Sequence, residues 1–577
     1  MKYRLNSAGI HHIADSNYCF ALNKEDLVIR FRMAREDEKT AVYIIYGMKY
    51  EYQDHRFKKE MMLKYKDDDY CYFEIELKLS DSRLAYIFEL NIENQTYYYS
   101  EEGLSRTYDF SKGFYNFFQM PYLNPVDIYP TVGWMKKSVF YQIFVDRFCR
   151  GDFTKDDTYI NLSWGGTPTP SNFAGGDLKG IINKLTYLKD LGINAIYLTP
   201  IFLSPSNHKY DIVDYYKVDP QFGTNNDLKN LVTKAHQLGM RVILDAVFNH
   251  CSMLSREFQD VIRKGRQSKY YHWFIIDGDF PDIEKTNYEC FASCNYMPKW
   301  NTSNSEVQRF LTDIGVYWIE KYDIDGWRLD VSDEVSHQFW RTFRTAVKEV
   351  KKECVLIGEN WHNADSFLHG DQFDGIMNYS FTKICLDCFA ESKLTADKMA
   401  NRLNNILMRY SLQTNQMNLN LLDSHDTHRI FTELKEDKNK LLAALALSFV
   451  FIGTPCIYYG TEIAMQGGYD PDSRRTFDWN EKERNQHLFN KIKEIIQLRK
   501  LSVLQEGSIS IESKENQLLI HRIFNNEQLN YQLNLSKGLA SLLISGNPVI
   551  SNGVVENKLD SFGYYISICE AKIDEKI

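Results

Sequence analysis

No stretch of the 577 residues approaches the roughly twenty consecutive apolar positions of a membrane-spanning helix, so no membrane partner is expected. The start, MKYRLNSAGIHH, has no apolar core of signal-peptide length, which makes the cytoplasm the expected location. Basic blocks are missing too. The 77 acidic and 68 basic side chains leave a formal charge of −9, and no Lys/Arg cluster is long enough to neutralise a phosphate backbone, so nucleic acid is not an expected partner. The eleven cysteines are odd in number and scattered, which argues against a disulfide framework. The close pairs Cys290/Cys294 and Cys385/Cys388 lack the second Cys pair or His cluster of a metal site. Free, mostly buried thiols in a reducing compartment are expected instead. Internal repeats, low-complexity tracts and coiled-coil heptads are also missing.

What the chain does have is the balance of a globular protein, 44% hydrophobic and 25% charged, at a length that requires several domains. Aromatic residues make up 14%, enough to provide stacking platforms for sugar rings in an open cleft as well as core packing.

Residues 1–122 contain short alternating runs, among them DLVIRFRM, AVYIIYGM, CYFEIELKL and AYIFELNI, separated by polar turns. This is the pattern of an amino-terminal β-sandwich. Pro121, Pro125 and Pro130 mark an extended connection. Over 123–502, eight short apolar runs alternate with helical patterns such as SNSEVQRFLTDIGVYWIEKY and KNKLLAALALSFVF. The runs are SVFYQIF, NAIYLTPIF, RVILDAVF, DGWRLDV, CVLIGEN, DGIMNYS, MNLNLLDS and PCIYYGT. Strand-helix alternation implies parallel pairing, and eight units imply closure into a (β/α)8 TIM barrel of the α/β class. A stretch at about 251–301, after the third strand, is too long for a simple loop and predicts an inserted subdomain. Residues 503–577 return to alternating runs, SISIES, QLLIHRIF and GYYISICE, predicting a smaller carboxy-terminal β-sandwich.

In such a barrel, chemistry is built at the carboxyl ends of the strands. Asp245 closes RVILD and is followed by Asn249 and His250; Arg328 and Asp330 close the fourth run; Glu359 closes VLIGE; His425 and Asp426 follow LNLLDS. Arg328 and Asp330 stand two apart, so both face the barrel interior while Leu329 faces the helices. A guanidinium beside Asp330 favours the ionised form a nucleophile requires, whereas a second carboxyl in a drier pocket can hold a proton near neutrality. Glu359, at the end of the adjacent strand, is the natural candidate for that second carboxyl. A separation of about 5–5.5 Å would be the geometry of a retaining glycosidase. One acid at a strand end is more often a cap or a surface ion pair. Four strands ending in charged or imidazole groups are different, because buried charge is expensive unless paired and stability alone does not gather it at one mouth.

The motifs DAVFNH (245–250), MPKWN (297–301), GWRLDVSDE (326–334), GENWH (358–362) and LLDSHDT (421–427) occur in that order, with FYQIFVDRF, GGDLKGI and GTPCIYYGTEI around them. They resemble the α-amylase superfamily of glycoside hydrolases, and within it the neopullulanase, cyclomaltodextrinase and maltogenic-amylase group. The likeness spans essentially the whole chain. It implies that Asp330 is the nucleophile, that Glu359 is the general acid and then the base, and that Asp426 holds sugar hydroxyls and distorts the ring. It further implies that Arg328 fixes Asp330, that His250 and His425 bind hydroxyls, and that Tyr210 stacks under the sugar whose bond breaks. Asp245 takes a structural part beside Arg328. Trp361 would be an aromatic shelf on the leaving-group side, and Asp470 and Arg474 contacts to the non-reducing side. Taken alone, Tyr210 and Trp361 read as packing residues, and Asp470 with Arg474 as a loop ion pair.

The chain also departs from the family pattern. Glu334 stands where calcium-dependent α-amylases carry a His. Many members of the group bind a structural calcium elsewhere, and this chain keeps Gly151, Asp152, Asp156, Gly175 and Asp177 of that site, but Arg150 replaces an Asn ligand. A cation beside a calcium site is unfavourable, so a calcium held by Asp152, Asp156, Gly175 and Asp177 is an open expectation, and no cofactor is required for the chemistry. Asn360 and Trp300, which also depart, bear on the choice between water and sugar as acceptor.

The resemblance thus implies a retaining hydrolase of α-1,4-glucosidic bonds in maltooligosaccharides, cyclodextrins and pullulan, with transglycosylation as a side activity. It also implies a homodimer in which the amino-terminal domain covers the partner's cleft. The competing readings are a glucanotransferase, or a sucrose- or trehalose-acting relative, of the same superfamily, and a non-catalytic glycan-binding relative.

Overall fold

The computed structural model describes residues 5–571 of the chain. Its centre is a closed parallel barrel of eight strands: β1 (Phe140–Ile143), β2 (Ala195–Leu198), β3 (Arg241–Ala246), β4 (Gly326–Leu329), β5 (Val355–Gly358), β6 (Gly375–Ile376), β7 (Leu419–Leu421) and β8 (Thr454–Tyr458). In space the order runs from β6 through β5, β4, β3, β2, β1 and β8 to β7, and a parallel bridge between Met377 and Leu419 closes the ring. All eight expected strands are present.

Period-two alternation explains the layering. Phe140, Tyr197, Ile243, Val355, Ile357, Leu419 and Leu421 form the inner core. Ile196, Val242, Leu244, Trp327, Leu329 and Leu356 face outward into a larger core shared with the helices. The long helices are α1 (Leu178–Leu191), α2 (Asn225–Gln237), α3 (Ser305–Tyr322), α4 (His337–Val350), α5 (Ala396–Arg409), α6 (Lys438–Val450) and α7 (Gln486–Gln497). Their starts are written in the sequence: Asp177 caps α1 by accepting from Gly180 N, Thr224 and Asp227 form a capping box on α2, and Asn304 caps α3.

Between β3 and α3 the expected subdomain is present. It holds a short helix (Arg256–Lys264) and isolated bridges pairing His250 with Lys299 and Phe274 with Trp300. Phe258, Phe274, Tyr288 and Trp300 pack together beneath it.

The amino-terminal residues form two facing antiparallel sheets of four and six strands around a core that includes Phe31, Phe73, Tyr86 and Phe88. The carboxy-terminal residues form one six-stranded antiparallel sheet. Both domains dock on α5 and the turn that follows it. Asn17 donates to the carbonyls of Met408 (3.0 Å) and Arg409 (3.2 Å), and Arg30 to that of Tyr410 (2.8 Å). Asn404 donates to Lys66 O (3.0 Å) and Ile511 O (3.4 Å), and Tyr65 to Ile509 O (2.7 Å).

Candidate active site

Register brings the first residues of the site together. Asp245 on β3 stands beside Arg328 on β4, and Leu329 beside Gly358 on β5, so Asp330 and Glu359 are the next residues along neighbouring strands. The ladder continues through them, with Asp330 N donating to Ala246 O (3.1 Å) and Glu359 N to Leu329 O (2.9 Å). Gly326 permits this close approach, since a Cβ there would lie 2.4 Å from Val355 O.

The Arg328 side chain is fully buried and is the hub. Its Nη1 donates to Asp245 Oδ1 and Oδ2 (3.0 and 3.1 Å) and to Asp330 Oδ1 (2.6 Å). Nη2 lies 2.9 Å from Glu359 Oε1 and 3.9 Å from Asp426 Oδ2, but off the N–H directions, so it makes ion contacts without a hydrogen bond. Glu359 is held from other sides as well: Val331 N donates to Oε2 (2.8 Å) and Trp361 Nε1 to Oε1 (3.2 Å). Val331 adopts φ +44°, unusual for a β-branched residue and characteristic of strained functional turns.

One guanidinium cannot neutralise four carboxylates. Burial pushes the Asp330 carboxyl well above the usual carboxylate range; Arg328 pulls in the expected direction, but burial outweighs it, and the charge of Glu359 adds to the rise. Burial, with Glu359, pushes Asp426 up to about 7, and burial also raises Asp245. The cluster therefore shares a proton near neutrality.

Tyr210 and His425 complete the floor. Tyr210 OH donates to Asp245 Oδ2 (3.0 Å) and lies 2.6 Å from His425 Nε2, the two rings being parallel to within 3°. Gln142 Nε2 sits 2.7 Å from His425 Nδ1, and His425 Nε2 lies 3.2 Å from Asp426 Oδ1. Burial holds His425 well below the ordinary imidazole value and His250 at about 3, so both rings are neutral. His250 is stacked on Phe291 at 4.9 Å, and its buried Nε2 has no hydrogen-bond partner among the described residues. Arg474 donates to His425 O (2.9 Å) and Asp426 Oδ1 (3.4 Å), and pairs with Asp470 at 3.0 Å. Asp470 and Arg474 are thus a loop ion pair and at the same time belong to the carboxylate cluster. Trp361, 42% exposed, lies flat on Tyr379 with ring centroids 3.7 Å apart. Beside this pair a cavity of about 370 Å³ opens between Asp67 and Asp68 of the amino-terminal domain and Lys383, Arg402 and Arg409 of the barrel.

Residues 142–497 match the alpha amylase catalytic domain, and residues 5–124 the alpha amylase N-terminal ig-like domain. This chain belongs to the α-amylase family. It is 42% identical over 494 residues to a cyclomaltodextrinase of Thermoanaerobacter pseudethanolicus, covering 85% of each chain. It is 40% identical over 539 residues to an intracellular maltogenic amylase of Bacillus subtilis, covering 91% of each. A solved cyclomaltodextrinase structure superposes with a TM-score of 0.91 at 34% identity, covering 98% of this chain and all of that one. The protein is accordingly an α-glucan glycoside hydrolase of that family.

Sequence reasoning missed several contributors. Tyr379 lies under Trp361; Gln142 orients His425; Tyr197 OH donates to Asp245 Oδ2 at 2.6 Å. Lys209, fully buried, bonds Ser204 O and Asp219 (2.9 Å each) and so fixes the turn that carries Tyr210. The only sequence signal for Lys209 is a lysine within the polar, turn-rich stretch SPSNHKYD. Trp300 is 1% exposed and stacked on Phe274, a core side chain of the subdomain, and Asn360 is buried with its Oδ1 accepting from His362 N.

Of the residues proposed for calcium, Asp152 pairs with Lys179 at 2.6 Å, and Asp177 with Lys155 at 3.0 Å. Gly175 O accepts from Lys155, and the exposed Asp156 closes its own turn on Thr158 N and Oγ1. Among the described residues no group of three or more His, Cys, Asp or Glu side chains is arranged to hold a metal. Glu334 is likewise paired with an ammonium, that of Lys299, at 3.0 Å. All eleven cysteines are free, and no helix among the described residues is long and apolar enough to cross a membrane.

Proposed function

We propose that this protein is a retaining hydrolase of α-1,4-glucosidic bonds acting on cyclodextrins and maltooligosaccharides, and on pullulan, with transglycosylation as a side activity. The observation that carries the reading is the shared hold of Arg328 on Asp330 and Glu359, two carboxylates at the ends of adjacent barrel strands. In the first step Asp330 attacks the anomeric carbon while Glu359 protonates the glycosidic oxygen, delivering the proton that the crowded carboxylates share. The leaving sugar departs, and a covalent glycosyl-Asp330 ester remains. Glu359, now ionised, takes a proton from water or from a sugar hydroxyl, whose oxygen displaces Asp330. Asp426 and His425 engage hydroxyls of the reacting sugar, Tyr210 forms its platform, and the free Nε2 of His250 donates to another hydroxyl. Trp361, on Tyr379, shelves the leaving group or acceptor beside the adjoining cavity. Asp470 and Arg474 bound the non-reducing side.

A homodimer fits exposed apolar side chains on the amino-terminal domain: Tyr50 and Phe57 are about two-thirds exposed and Tyr115 almost entirely so. A cytoplasmic location fits the eleven free thiols and the relative named as intracellular.

The test is the anomeric form of the first product from β-cyclodextrin, read by proton NMR. The α-anomer is expected. A β-anomer would show inversion and end the proposal. A fluorinated maltosyl fluoride that slows the second step should leave its mass on the peptide containing Asp330.

A further inference from the structure

Lys155 lies in the loop after β1, with its side chain 9% exposed. Its Nζ donates to Gln221 O at 2.7 Å and Gly175 O at 2.9 Å, and stands 3.0 Å from Asp177 Oδ2. An ammonium has three N–H donors, and here each meets an oxygen. Asp177 also accepts from the backbone N–H groups of Gly151 (2.9 Å), Asp152 (3.0 Å) and Gly180 (2.7 Å), so its carboxylate is fixed by the loop and by the first turn of α1. Gly175 turns its carbonyl toward the lysine at φ +86°, in a space where a Cβ would fall 2.3 Å from Ile160.

These are also the residues at which the family resemblance places a calcium ion, and the arrangement does not suit one. Calcium takes six to eight oxygens at about 2.3–2.6 Å. The separations here are those of N–H···O bonds. Lys179 is spent on Asp152, Arg150 Nε donates to Asp152 O at 3.3 Å, and Asp156 stays exposed in its own turn. A divalent ion would have to expel Lys155 and then sit beside two further cations.

We propose that the Lys155 ammonium takes the place of the calcium ion, pinning the loop after β1, the segment before α1 and the turn at Gln221, so that the fold is independent of divalent cations. This goes beyond the hydrolase reading and does not depend on it. A tethered cation is present at unit occupancy whatever the medium, whereas the stabilisation from a free ion rises with the logarithm of its concentration and vanishes well below its Kd.

Thermal melts of the full-length protein test this. With wild type, millimolar calcium chloride and millimolar EGTA should give the same Tm, and calorimetric titration with calcium should show no binding heat. Lys155→Met should lower Tm by at least about 2 °C, in calcium and in EGTA alike. A wild-type Tm raised by calcium by about that amount, saturable calcium binding, or a Lys155→Met protein as stable as wild type would overturn the proposal. If Lys155→Met does not fold, the wild-type calcium titration decides alone.

Discussion

The backbone N–H of Val331 donates to Glu359 Oε2 at 2.8 Å, so the residue that follows Asp330 orients the carboxylate of Glu359. Val331 adopts left-handed geometry to do so, at φ +44° and ψ +46°. Strain of this kind is of order 1–3 kcal/mol and persists only where the surroundings enforce it.

Val331→Gly relieves that strain and loosens the donor. Its Tm should be no lower than that of wild type, while kcat falls by about tenfold, because small displacements of a proton donor are costly. Thermal melts and steady-state rates on β-cyclodextrin check both halves. A destabilised Val331→Gly with full kcat would show that the turn serves only folding.

Asp426 carries a pKa of about 7 in the folded protein, against an ordinary carboxylate value near 3.9. Between those values the folded state holds a proton that the unfolded chain has released. Its contribution to stability is therefore fully present below about pH 4 and is lost as pH rises through 7. Asp426→Asn removes this dependence, so its Tm advantage over wild type should grow from pH 5 to pH 8, although its activity is lost. In wild type, kcat/KM should fall above about pH 7, as the cluster gives up its shared proton. A Tm difference that does not change with pH would contradict the assignment.

His250 has a buried ring nitrogen with no hydrogen-bond partner among the described residues, which suits it to the substrate hydroxyl proposed for it. His250→Phe keeps the stack on Phe291 and removes the donor. kcat/KM should drop by about 10- to 100-fold, as for a lost buried hydrogen bond, with Tm within a few degrees of wild type. Retained kcat/KM would place the hydroxyl contact elsewhere.

Arg328 is the cation that makes the carboxylate cluster tolerable. Arg328→Met leaves the buried Asp245 and Asp330 without their shared cation and should cost about 3–5 kcal/mol, read in denaturant melts. Arg328→Lys keeps a charge but not the fork, and should lie between Arg328→Met and wild type in stability while losing most of the activity.

Much of this was legible in the sequence for a simple reason. Eight apolar runs with period-two alternation fix which residues point inward, and Arg328, spaced two from Asp330, could only share its face. The charged run-ends therefore mark the barrel mouth in the sequence itself. Contacts between distant segments were not legible. Tyr379 under Trp361, Gln142 against His425 and Lys155 on Gly175 each join segments whose local patterns say nothing of the other. Trp300 stood beside a recognisable motif and so drew a functional reading, yet its indole fills the subdomain core, where volume rather than chemistry governs. For Asp330 the Arg328 effect was foreseen, but the depth of burial that opposes it is a property of the whole fold.

Helix α5 and the turn after it serve as a common keel: the amino-terminal sheets grip the carbonyls of residues 408–410, and Asn404 reaches both flanking domains. Cutting away the amino-terminal domain would therefore strip donors from the barrel itself rather than trim an accessory. Differential scanning calorimetry should record one melting peak for the intact protein, and a clipped version would be an injured barrel, not a smaller enzyme.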